Sequence, residues 1–508
     1  MRNKETQKEL LVLALFLALS FVFFWPQTIS GKTMLPADNV FAFPPWAAYA
    51  AQAGVTVPHN DLVSDLILEN YVWKQFTLES LHSGQIPLWN PYIVGGMPFL
   101  AEGQHSMMYP FSFPFYIMPL ANAYGWYALL HTFLAGIFMY IFVRTLKVRR
   151  FGAIIAGTTF MFSGFMFIQN VFPMIEGAIV WLPLILAMIE RIAQHVEQDH
   201  FTFKTILPNV IIGTVSFAMV MLAGHPEMYY YVGLTTFFYA VYRLVRMAIR
   251  LKKAQPVLET TAALVFMVVL GVGIGSAQWI PLFELVRSNF REGSTSFAEV
   301  RSFAWPWRQV FAMFMPDIYG NPAHHTYFDL FTWQTVAITK NINCGIINNA
   351  NWGMKNYVEA AGFLGLLPTL LAVIGLLRRK GMHLLFFAGL AFMSILFVFG
   401  SPLYVLVYKL HGLSQVHSPF RWIFPYTLCM SVMAGMGLDR FGEGIGEAKT
   451  KIGRLLDRFS QNWVPWLILI GGVLGMGALG VTFIIKDHLL DRVTSLIWDL
   501  AMASFAFD

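Results

Sequence analysis

Apolar runs close to the roughly 20 residues needed to cross a bilayer alternate along this chain with short segments rich in lysine and arginine. Marked by length, they predict eleven membrane spans, at 10–26, 122–144, 151–169, 177–194, 205–223, 228–248, 258–282, 357–377, 383–399, 421–438 and 464–486. Basic residues in short loops stay on the cytoplasmic side. Arg2, Lys4 and Lys8, then Arg144 to Arg150, Arg243 to Lys253, Arg378 to Lys380 and the loop 440–463 all fall on one side of this scheme, which puts the N-terminus inside. The expected class is therefore an all-α polytopic membrane protein. Residues 1–486 form its multi-span domain, the outer segments 27–121 and 283–355 cap it, and 487–508 is a short outer C-terminal segment.

Between the first two spans, the stretch 60–110 breaks the apolar pattern. Asn60 or Asp61 can cap a helix start, Gly84 can cap its end, and no proline interrupts the run between. At helical spacing Asp61, Asp65 and Glu69 share one face, while Leu62, Leu66, Trp73 and Phe76 supply an apolar flank. From Pro87 to Gly103 the density of proline and glycine predicts a folded loop, a setting that carries function more often than packing.

Composition sharpens the class. With 57% hydrophobic and only 12% charged residues, against about 25% charged in soluble domains, the chain belongs in a membrane. Its net charge of +6 is then explained by basic cytoplasmic loops facing anionic lipid, which argues against a nucleic-acid partner. The apolar N-terminus has no closely following small-x-small cleavage site, so an uncleaved anchor is expected. No Asn-x-Ser/Thr sequon occurs, which favours a bacterial cytoplasmic membrane. Cys344 and Cys429 fall in an outer loop and a span, and no disulfide between them is expected.

Ionisable groups at span ends are costly and default to functional hypotheses. Here they gather at the outer mouth: Asp61, Asp65 and Glu69, then Glu102, His105, Glu176, His225, Glu227, Glu284, Arg287, Arg291, Asp317, Glu359, His417 and Arg421. Each has a plainer reading. The carboxylate stripe suits a solvated face, Glu102 and His105 could be loop hydrogen-bonders, His225 could cap a span, and Arg421 could snorkel at the interface. No HExxH, CxxC or Walker glycine loop is present.

The run SGQIPLWNPYIVGGMPF with YP at 109–110, GHPE at 224–227, QWIPLFELVRSNFR at 278–291 and SPFRW at 418–422 resembles the bacterial YfhO-like membrane proteins, of the GT-C class of polytopic glycosyltransferases. The match runs across about residues 30–440. The resemblance implies a polyprenyl-phosphate sugar donor, an envelope glycan, polymer or protein acceptor, and a catalytic acid in the first outer loop near a juxtamembrane helix. That role fits Asp65, or Asp61 beside it, with Asp38 as another first-loop acid. The chemistry also follows from the donor itself, whose reactive carbon lies at headgroup level: a carboxylate there takes the acceptor's proton, and cations stabilise the departing phosphate. Asp65 is the expected base, with Arg421 and Arg291 for the phosphate and His225 and Glu102 for acceptor or leaving group. His105, Glu227, Glu359 and His417 complete the expected substrate-binding set. No cofactor is required; a divalent metal bridged by Asp61 and Asp65 is compatible with the sequence. A transporter or flippase of lipid-linked sugars would share many of these features but should show mid-span charges and internal symmetry. A non-catalytic scaffold would leave the outer polar cluster without a task.

Overall fold

In the computed structural model, residues 2–55, 58, 60–198, 203–287, 296–322, 357–378, 381–410 and 418–439 are described, with short pieces between 326 and 352. These residues are mostly helical. Six helical stretches are long and apolar enough to cross a membrane: Lys4–Phe23, Leu120–Thr145, Pro173–Glu197, Lys204–Leu222, Pro226–Leu251 and Ala254–Ile274. A seventh results if Met382–Val398 is counted with Pro402–Tyr408, from which it bends by 99°.

In chain order we label α1 (Arg2–Phe23), α2 (Tyr71–His82), α3 (Leu120–Thr145), α4 (Arg150–Met161), α5 (Gly164–Gln169), α6 (Pro173–Ile179), α7 (Leu182–Glu197), α8 (Phe203–Leu222), α9 (Pro226–Leu251), α10 (Ala254–Ile274), α11 (Ser276–Arg287), α12 (Leu366–Arg378), α13 (Met382–Val398) and α14 (Ile423–Asp439). The expected spans at 122–144, 205–223, 228–248 and 383–399 coincide with α3, α8, α9 and α13 to within a few residues. Others are interrupted. The expected span 151–169 breaks where the hydroxyl of Ser163 accepts the Met166 amide and starts α5. The helix expected at 357–377 begins only at Leu366, after a stretch in which Gly365 has a φ of +93°. The two breaks meet, and the Gly164 amide donates to the Phe363 carbonyl at 2.7 Å. A backbone donor freed by one interruption is thus satisfied by a carbonyl freed by the other, as a low-dielectric setting demands. The turn expected at 169–177 is helical from Pro173, with proline at the first helical position. The expected span 464–486 and the segment 487–508 lie outside the described residues.

The α6–α7 stretch is the centre of the bundle, buried along its whole apolar window. Around it α3 packs on α4 and α7, α8 on α7 and α10, and α14 on α4, α12 and α13. At the α4–α14 crossing a Cβ on Gly435 would lie 2.6 Å from the Gly152 carbonyl oxygen, so only glycine lets these backbones approach.

The basic connections collect at one end. There Arg150 pairs with Glu5 at 2.8 Å and Glu9 at 2.7 Å on α1. The Arg149 amide donates to Asp439 at 3.0 Å, and Gln194 donates to the Thr145 carbonyl at 2.9 Å. The segment 60–118 covers the opposite end.

Candidate functional site

The covering segment starts as expected, with the Asn60 side chain accepting the Leu62 amide at 3.1 Å. It then departs from a regular α-helix: Asp61–Val63 is a 3-10 turn and Leu66–Asn70 is π-helical before α2 begins. Single π turns of this kind occur disproportionately at functional sites. Gly84, at a φ of +75°, ends α2 as expected. Of the expected apolar flank, Leu62 and Leu66 are buried, but further along the buried face is polar: Asn70, Lys74 and Thr77 are nearly inaccessible, while Trp73 and Phe76 are only partly covered.

Lys74 explains that face. Its ammonium donates to the His105 carbonyl and lies 4.4 Å from the centre of the Phe115 ring. Burial lowers its pKa to about 7. His105 itself stacks on Phe99 at 4.3 Å, accepts the Met107 amide at Nδ1 and bonds the Phe99 carbonyl through Nε2. Burial, reinforced by the Lys74 charge, lowers its pKa to about 3. Both nitrogens of this ring are thus occupied within its own loop, which it helps to organise.

This loop is pinned to the turn before α9. Gly103 and Gly224 both have positive φ, and a Cβ on Gly224 would fall 1.9 Å from the Gly103 carbonyl oxygen. Only two glycines allow this contact. Ser106 donates to the Ala223 carbonyl at 2.7 Å, and Gln278 of α11 donates to the Leu100 carbonyl at 2.9 Å. The GHPE turn therefore faces the covering segment.

Between them lies a cavity of about 250 Å³ whose polar lining includes Asp65, Glu69, Gln104, His225, Glu359 and Arg421. The Arg421 guanidinium, 13% exposed, bridges two carboxylates: Nη1 meets Glu227, and Nη2 donates to Glu359 at 2.8 Å. Ser418 donates to Glu227 at 2.6 Å, and the neighbouring Trp422 is locked between Phe397 and Tyr231. The plain snorkelling reading of Arg421 fails, because a snorkelling side chain reaches water rather than two acids. His225 precedes the first turn of α9 but makes no side-chain capping bond. It is 9% exposed, its Nδ1 has no hydrogen-bond partner among the described residues, and burial with the nearby Arg421 charge lowers its pKa. Burial raises the pKa of Asp65; it also raises that of Glu69, to which the charge of Asp65 adds. Glu102 stands just behind, with its pKa raised to about 7 by burial, and accepts the Gln104 amide at 3.1 Å.

Of the residues singled out from sequence, Asp65, Glu69, His225, Glu227, Glu359 and Arg421 thus come together. Asp38 sits in the turn Ala37–Ala42 and does not line the cavity. Arg291 and His417, and the side chain of Asp61, lie outside the described residues. Among the described residues no group of three His, Cys, Asp or Glu side chains is placed to hold a metal ion.

No known family model matches this chain, and no curated protein matches it significantly.

Adjoining the polar cavity is a larger, mostly apolar one of about 440 Å³, walled by Phe23, Phe162, Phe167 and Phe363 and sharing Val171 and Val358 with it. Sequence reading missed both this junction and the buried Lys74. A lysine at helical spacing from Asn70 and Thr77 was the available signal, masked by the more apolar flank beside it.

Proposed function

We propose that the protein is a membrane glycosyltransferase of the GT-C type, transferring a sugar from a polyprenyl-phosphate donor to an envelope acceptor. We further propose that it is YfhO-like, inserted in a bacterial membrane through eleven spans with its N-terminus cytoplasmic and its site on the outer face. The observation that carries this reading is the adjacency of the two cavities: an apolar pocket shares Val171 and Val358 with a polar one lined by three carboxylates, an unpartnered imidazole nitrogen and one guanidinium. A lipid-linked sugar phosphate has the same bipartite character. Its chain fits the phenylalanine-walled pocket, and its hydroxyls suit Glu69 and the Nδ1 of His225.

In the reaction, the acceptor hydroxyl oxygen bonds to the anomeric carbon as the bond from that carbon to the phosphate oxygen breaks. The phosphate leaves with the electron pair, and the hydroxyl proton passes to Asp65. A base with a raised pKa accepts that proton more readily, and such catalysis contributes about 10²–10⁴-fold. Glu227 and Glu359 fix the plane of Arg421. Because they also neutralise it, the phosphate must displace one of them to gain the bidentate contact that arginine offers.

The test is sugar transfer in proteoliposomes. Asp65→Asn keeps shape and hydrogen bonding but cannot take a proton, so transfer should fall about 10²-fold or more while donor binding survives. Near-wild-type turnover in Asp65→Asn would defeat the assignment. A second reading, a flippase for lipid-linked sugars, draws on Glu176, which is buried in the central helix with neither carboxyl oxygen hydrogen-bonded by a described residue. That reading requires donor movement across vesicles without acceptor, lost in Glu176→Gln.

A further inference from the structure

At the end of the bundle opposite the candidate site, α3, α7, α9 and α13 leave a recess of about 240 Å³. Lys147, Arg243, Arg246 and Arg250 line it, against the carboxylates of Glu190 and Glu197. A second recess sharing Lys147 and Gln194 adds Arg144 and Arg191, with Glu9 as its acid. The acids are already spent. Glu190 contacts Arg243 at 2.7 Å with both side chains about 2% exposed, and it also accepts from Tyr239 at 2.7 Å and Gln194 at 2.8 Å. Glu197 meets Arg243 at 3.3 Å and Arg250 at 3.2 Å, and Glu9 is taken by Arg150. Two cations of the first recess stand outside these pairs. Arg246 donates to the Tyr242 hydroxyl at 3.1 Å, and Lys147 is in no ion pair among the described residues.

Lys147 is held there against its backbone preference. It follows α3 at a φ of +63°, the left-handed position after a helix that glycine normally fills. Lys252 shares this conformation after α9, at a φ of +52°, but lies outside the recess.

We propose that this recess binds a phosphate ester anion, carried by the headgroup of an acidic phospholipid, between Lys147 and Arg246. Basic pockets between membrane helices take such headgroups, and a guanidinium beside an ammonium offers both a fork and a point charge. The pairs Glu190–Arg243 and Glu197–Arg250 balance in charge and line the same recess, so the two remaining cations set its sign. This site is independent of the reading given to the opposite end.

The test uses the full chain in phosphatidylcholine nanodiscs, with phosphatidylglycerol added as probe and retained lipid counted by native mass spectrometry. Lys147→Gln with Arg246→Gln should weaken retention about 25-fold, near fivefold for each cation. The control is Lys252→Gln with Lys253→Gln, which removes equal charge at the same end but outside the recess and should change retention less than twofold. Lys147→Gly guards against misfolding: it relieves the strained backbone, so thermal stability should rise while lipid retention falls. Inorganic phosphate is the soluble arm. If it binds with the same dependence on Lys147 and Arg246 while phosphatidylglycerol does not, the anion site stands and the lipid source is wrong. Equal losses in the recess and control variants, or retention unchanged in both, overturn the proposal.

Discussion

Removing Arg421 tests whether the polar cavity is organised by one shared cation. Arg421→Gln would leave Glu227 and Glu359, whose side chains are 17% and 13% exposed, facing each other without their counter-ion. Deleting one partner of a buried pair costs about 3–5 kcal/mol, because the charge left behind stays desolvated. Here both carboxylates keep some exposure and Glu359 lines the cavity, so the expected loss lies near the lower end, about 3 kcal/mol. Neutralising the acids as well should recover most of it: Arg421→Gln combined with Glu227→Gln and Glu359→Gln carries no stranded charge, and the amide at 227 still accepts from Ser418. Arg421→Lys should fall between, since one ammonium cannot serve two carboxylates through separate edges. The assay is thermal unfolding in detergent followed by tryptophan fluorescence at one fixed scan rate, because irreversible unfolding makes midpoints rate-dependent. A wild-type midpoint for Arg421→Gln, or a triple variant as unstable as the single, would refute the shared-cation reasoning.

Gly224→Ala should strongly destabilise the outer segment, because its Cβ would collide with the Gly103 carbonyl at 1.9 Å in a left-handed backbone; faster proteolysis after residue 84 would register it. Lys74, with a pKa lowered from 10.5 to about 7, leaves the folded chain short of a proton that the unfolded chain holds between those values. Stability should therefore rise with pH across that window, and Lys74→Met should flatten the slope in melting experiments. For Glu102, raised from 4.5 to about 7, the folded chain holds the extra proton, so stability should fall as pH rises through that range and Glu102→Gln should remove the fall. Orientation is checked by cysteine labelling from outside, which should reach a site introduced near Gly84 but not one near Lys252.

Apolar length alone located α3, α8, α9 and α13, because a bilayer demands a length and short basic loops mark the ends. It could not see the interruptions at Ser163 and Gly365, where composition stays apolar while the backbone leaves the helix and pairs with another break. Spacing also put Asp65 and Glu69 on one face, and this survived the π-helical turn that follows Asp65, since both line the same cavity. What spacing misjudged was the side of α2 facing the protein. Periodicity reads hydrophobicity, and Lys74 is buried for a backbone carbonyl and an aromatic ring that come from elsewhere in the chain. The triad of Glu227, Arg421 and Glu359 joins three distant stretches, and only folding brings them together.

The wholly enclosed α6–α7 stretch has a consequence for biogenesis. Its hydropathy lets it enter a bilayer on its own terms, yet in the finished bundle its apolar window is buried among neighbouring helices. Its solvent thus changes during assembly from lipid to neighbouring helices, and Glu190, bonded there by Arg243, Tyr239 and Gln194, acquires two of those partners only when α9 arrives. Until then the helix carries a polar group that lipid cannot satisfy, so the arrival of α9 is the step at which this helix is committed to its place.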